Sequence, residues 1–134
     1  MAQIQSQGVS LETIDRASAA RAFTACAGMD PEGKATPESA AAAGHCFLIA
    51  TNTGEAVYSV AVRGNVLWCF AAAGTGQGMT APGLAAMEAQ ARASACRAVA
   101  FQTVRRGLVR RAQALGYQVQ QNIGRGFVLK KEIA

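Results

Sequence analysis

Apolar and polar positions follow two rhythms along the chain, and each change of rhythm marks an element. Gly8 to Ile14 (GVSLETI) alternates weakly, which suits an edge strand. Asp15 is a helix N-cap candidate, and Ala19, Ala22, Phe23 and Cys26 fall at helical spacing within Arg16 to Met29. Asp30-Pro31-Glu32-Gly33 stops that helix. Thr36 caps a second helix with Pro37 at its first position, and Gly44 ends it after the run Ala40 to Ala43.

Three strands follow closely: Cys46 to Thr51, Glu55 to Arg63 and Val66 to Ala72. Asn52-Thr53-Gly54 turns the first into the second, and Gly64-Asn65 makes a two-residue hairpin. A glycine-rich loop, Gly74-Thr75-Gly76-Gln77-Gly78, leads to a helix capped by Thr80 and running to about Ala95. Ala98 to Thr103 is a short buried strand, and Arg105 to Leu115 a helix ended by Gly116. Tyr117 to Gln121 and Phe127 to Ile133 close as strands around the turn Asn122 to Gly126. The expected order is β-α-α-β-β-β-α-β-α-β-β, an α/β (α+β) class. A meander feeding a β-α-β unit predicts a mixed, mostly antiparallel sheet flanked by helices.

The chain has 134 residues, which fits one domain over 1–134, and 51% of it is apolar, enough for a core. No window reaches the roughly 18 apolar residues of a membrane span. Met1 to Gln5 lacks a signal-peptide pattern, so the cytoplasm is the expected compartment. Cys26, Cys46, Cys69 and Cys96 form no C-x-x-C pair and read as buried thiols. One histidine and no clustered carboxylates leave little for a metal site. The net charge is +5, and from Arg97 onward eight bases face one acid, Glu132, which suits an anionic partner or a solvated basic face.

Gly74, Gly76 and Gly78 can turn the backbone into an anion nest with Gln77, Met79 and Thr80, reinforced by the following helix N-terminus. The same loop reads as G-x-G-x-G, but it follows three meander strands and no acid ends the strand Phe101-Gln102-Thr103, which argues against nicotinamide binding.

The element order resembles the GNAT superfamily of N-acetyltransferases over nearly the whole chain. The resemblance is sharpest in Arg110-Arg111-Ala112-Gln113-Ala114-Leu115-Gly116-Tyr117, followed by the strand Phe127-Val128-Leu129. It implies acetyl-CoA as the cofactor, with its pyrophosphate on the loop between Ala72 and Thr80. It also implies pantetheine along Cys69, Phe70 and Ala71, where the sheet splays. The family pattern Q/R-x-x-G-x-G/A is matched only in part from Gln77: Thr80 stands at the first glycine and Pro82 at the final small residue. The expected cofactor residues are therefore Cys69, Phe70, Ala71, Gly74, Thr75, Gly76, Gln77, Gly78, Met79, Thr80 and Arg106.

The family's frequent acid, a tyrosine, falls at Ala112, and its asparagine falls near Arg105. Glu55 is the nearby carboxylate, and Tyr58 a substitute acid or a core aromatic. His45 is a base candidate or a surface residue. Arg105, Arg106, Arg110 and Arg111 form a basic stripe that suits the 3′-phosphate and adenine of coenzyme A, nucleic-acid phosphates, or solvent. The leading expectation is a protein that binds acetyl-CoA and transfers the acetyl group to an amine. The rivals are a catalytically silent GNAT-fold structural or accessory protein, for example one encoded by a phage or mobile element, and a polyanion-binding module. The sequence leaves the oligomeric state open; the resemblance implies the C-terminal hairpin edge as the place for a homodimer contact.

Overall fold

The computed structural model describes residues 3–6, 8–27 and 30–133. In chain order the elements are β1 (Gln3–Ser6), β2 (Val9–Thr13), α1 (Arg16–Phe23), α2 (Pro37–Ala43), β3 (His45–Ala50), β4 (Gly54–Arg63), β5 (Val66–Gly76), α3 (Thr80–Ala93), β6 (Ala98–Thr103), α4 (Arg106–Ala114), β7 (Gln118–Ile123) and β8 (Gly126–Glu132). The strands form one sheet in the order β1-β2-β3-β4-β5-β6-β8-β7. β5 and β6 pair in parallel, and every other pair is antiparallel.

Side-chain alternation splits the core into two layers. Val57 packs with Ala19, Phe23, Ala40, Ala41 and Cys46 on the face covered by α1 and α2. Tyr58, one residue on, packs with Leu67, Cys69, Leu84, Met87, Val109 and Leu129 on the face covered by α3 and α4. Phe23, Ile49 and Leu129 are 1%, 0% and 0% exposed, and burying each such side chain contributes roughly 1.5–3 kcal/mol. The caps follow local chemistry. Asp15 accepts the Ser18 N–H at 2.7 Å, and Thr36 and Ser39 form a reciprocal capping box.

The structure departs from expectation at several boundaries; the expected turn Asn122 to Gly126, for one, narrows to Gly124-Arg125, with Asn122 and Ile123 in β7 and Gly126 in β8. An extra strand, β1, lies outside β2, and Gly8 with φ +80° makes the tight return between them. The first helix stops at Phe23 and continues only as a 3-10 turn, Thr24–Cys26; Gly28 and Met29, the rest of its expected span, lie outside the described residues. β5 continues through the expected glycine loop to Gly76, because Gly54 and Gly76 lack the Cβ atoms that would strike the facing carbonyls. Thr80 is the first residue of α3 and not its cap; Met79 takes that position without a side-chain hydrogen bond. The four cysteines are free thiols, three buried and Cys26 half-buried.

Candidate functional site

The parallel pair β5–β6 runs from Val66 opposite Ala98 to Cys69 opposite Phe101, and there it stops. β5 bulges at that point. Ser59 of β4 faces Ala71 while Val60 faces Cys69, so Phe70 is an extra residue without an opposite number. Beyond the bulge β5 stays with β4 as far as Gly76, and β6 stays with β8 as far as Thr103. The two strands therefore part, and from Phe70 onward the edge of β5 that faces β6 has no strand partner. Such an edge can pair with the backbone-like amides of an extended ligand.

A cavity of about 740 Å³ fills the parting. Its wall takes Phe23 and Ala40 from the α1/α2 layer and Leu84 and Met87 from the α3 layer, so it passes between the layers. Of the expected cofactor residues, Cys69, Phe70, Ala71, Gly74, Gly76, Gln77, Gly78, Met79 and Thr80 are brought together on this wall. Thr75 lies off it, and so does Arg106, whose guanidinium sits 5.4 Å over the Phe127 ring. Two other bases of the stripe, Arg105 and Arg111, line the cavity.

One end of the cavity gathers groups that can bind an anion. Gly76 and Gly78 have φ of +87° and +69°, and they swing the chain from β5 into α3 within a few residues. The first N–H groups of a helix have no carbonyl one turn back to bond, and the helix dipole adds positive charge there. Pro82 removes one of those donors. Arg111 reaches across from α4 and donates from Nε to Thr80 Oγ1 at 3.1 Å, which sets a guanidinium beside the helix start.

The catalytic candidates fare unequally. Glu55 is exposed and off the cavity wall, on the same face as Val57. His45 is exposed at the start of β3 and is also off the wall. Ala112 is fully buried in the α3/α4 layer. Tyr58 lines the cavity, is 1% exposed, and donates its hydroxyl to Gln90 Oε1 at 2.7 Å. Burial pushes its pKa well above the ordinary phenol value. Burial likewise pushes the Cys69 thiol up to about 12, so it stays protonated. Cys26 is also raised, by burial, with the charge of Arg105 pulling the other way.

Sequence reasoning missed the wall residues from the connection between α1 and α2, Asp30 among them. Asp30 reads as a helix stop in the sequence, and nothing local reveals that this connection crosses the parted strands. Among the described residues no group of three or more histidine, cysteine or carboxylate side chains is placed to hold a metal. No described helix is long and apolar enough to cross a membrane.

No protein-family model matches the chain, and no curated protein sequence does either. Solved structures do. The ribosomal-protein-S5-alanine acetyltransferase of Vibrio fischeri superposes with a TM-score of 0.59 at 13% identity, over 98% of this chain and 97% of that one. An acetyltransferase of the GNAT family from Streptococcus pneumoniae gives 0.58 at 12% identity, over 94% and 99%. The N-acetylglutamate synthase of Neisseria gonorrhoeae, solved with coenzyme A and N-acetyl-glutamate, gives 0.66 at 11% identity, over 97% of this chain and 36% of the longer one. At these identities the likeness is one of architecture: the chain shares the fold of these acetyltransferase structures, the GNAT fold.

Proposed function

We propose that the cleft between β5 and β6 binds acetyl-coenzyme A and that the chain transfers the acetyl group to an amine. The observation that carries this reading is the parting of the two strands at the Phe70 bulge, on the strand that runs on to the Gly76–Thr80 turn. The residues fit the group. The free edge of β5 from Phe70 to Ala72 pairs with the pantetheine amides. Backbone N–H groups from Gly78 to Ala81 take the pyrophosphate, with Arg111 adding charge. The bound thioester supplies an acetyl carbonyl already activated by its sulfur. The chain's own part is to hold the carbonyl and the amine together, which accounts for a large share of such a barrier. No carboxylate of β4 lines the cavity, so water takes the amine's proton and returns one to the leaving sulfur as the carbon–nitrogen bond forms and the carbon–sulfur bond breaks. In this reading residues 1–134 act as one domain in the cytoplasm.

A second reading has the fold bind the thioester without turnover, as an accessory protein. It is favoured by the position of the family's tyrosine, where a buried Ala112 stands, and by Glu55 lying off the wall. The basic stripe remains a lesser candidate for polyanions, and the β7 edge a candidate contact for a second copy. That edge is polar and carries its own bulge at Gln120, a feature that discourages strand-to-strand pairing.

Calorimetric titration with acetyl-CoA tests the binding claim. One molecule is expected to bind per chain. At Gly78 an added side chain meets open space, but the φ of +69° strains any L residue, so Gly78→Ala is the control; Gly78→Asp is expected to bind about tenfold or more weaker than Gly78→Ala, by placing a carboxylate in the anion cradle. Absence of binding by the wild type would overturn the proposal. Binding without amine-dependent release of free thiol would leave the accessory reading.

A further inference from the structure

We infer that Asp30 anchors the acceptor and that the acceptor is a cationic amine. This rests on the transferase reading above. Asp30 is the carboxylate on the cavity wall among the described residues. It is half-buried, its Oδ2 accepts the Lys34 N–H at 2.8 Å, and no cation pairs with it among the described residues. A half-buried carboxylate outside any ion pair loses hydration, and a bound cation offsets that loss. Phe23, Ala40 and Tyr58 on the same wall give an alkylammonium chain apolar cover.

The backbone holds Asp30 in place. The residue before a proline is confined to extended conformations. That proline, Pro31, is fully buried. Its carbonyl accepts the Arg125 N–H at 2.9 Å, from the turn between β7 and β8. Gly124, with φ +52°, and Gly126 form the notch that receives it; a Cβ on Gly124 would run into the Pro31 carbonyl, and one on Gly126 into the Thr103 carbonyl. The Gly33 N–H bonds back to the Asp30 carbonyl at 3.0 Å. The α1–α2 connection is thus fastened to the β7–β8 turn, with Asp30 on the cavity wall.

Arg105 lines the same cavity, and its charge bears on Cys26, so an anionic acceptor is the competing outcome. Protein saturated with coenzyme A is titrated with 1,4-diaminobutane, with 1,4-butanediol and with succinate. The diamine is expected to bind and the other two to bind much more weakly. Asp30→Asn keeps an acceptor for the Lys34 N–H and is expected to weaken the diamine about tenfold with coenzyme A affinity unchanged. Pro31→Ala is expected to weaken it less, again with coenzyme A unaffected, as a positioning residue should. The inference is overturned if the wild type ignores the diamine, if the diol or succinate binds as well, or if Asp30→Asn binds the diamine unchanged. The coenzyme A saturation step reads separately: its failure would sink the reading the inference stands on, and not the assignment of Asp30 alone.

Discussion

Phe70 shows how much one residue can decide. Without the bulge, Cys69, Ala71 and Ala73 would share a face of β5; with it, Cys69 packs in the α3/α4 layer and Ala71 and Ala73 in the α1/α2 layer. Nothing in Trp68-Cys69-Phe70-Ala71 announces this, because a bulge is set by the pairing strand and not by local composition. The caps at Asp15 and Thr36 were legible for the opposite reason: the side chain that makes the cap bonds within three residues. The tyrosines belong to this scale too. Tyr58 and Tyr117 are both buried, and burial raises both pKa values; Tyr117 also donates to Glu88 Oε2 at 3.0 Å, beside the Lys131–Glu88 ion pair. Above a pH of about 10 the unfolded chain loses phenol protons that the folded chain keeps, so stability present below that pH falls as pH rises. Melting temperature is expected to drop there, and phenolate absorbance to appear only with unfolding. Phenolate titrating near pH 10 in the folded protein would contradict the burial of both rings.

Among the elements, helices and strands with a clear period were legible, and their ends were not. Gly74 to Gly76 reads as loop because glycine weakens strands, yet β5 runs through it wherever Gly54 permits close approach. The basic stripe was legible as a stripe, but which arginine serves the cavity depends on how α4 leans on α3. That contact sets Arg111 beside Thr80, and Arg105 also lines the cavity, whereas Arg106 of the expected set lies off its wall. Arg111→Gln is therefore expected to weaken coenzyme A roughly threefold to tenfold, the scale of one partly solvated charge-assisted contact, while pantetheine, which lacks the pyrophosphate, binds unchanged. Parallel titrations of the two ligands check this. Equal weakening of both would place Arg111 outside the phosphate end.

At the scale of the molecule, the order of strands was largely legible from the meander and the helix-strand alternation that follows it. The site was legible only in its β5–α3 half, where its residues are contiguous. Its other half comes from the α1–α2 connection, brought over the cleft by the Pro31 notch some ninety residues away in sequence, between Gly124 and Gly126. Charge follows the same division: the acids other than Glu88 and Glu132 precede Val66, and most bases follow it. The parting of β5 from β6 is the claim on which the functional reading stands, and amide chemical shifts recorded while acetyl-CoA is added test it most directly. Saturating shifts are expected at Phe70 to Ala72 and at Gly76 to Ala81, with little change along β1 and β2. Unchanged spectra, or shifts confined to residues away from the cleft, would contradict it.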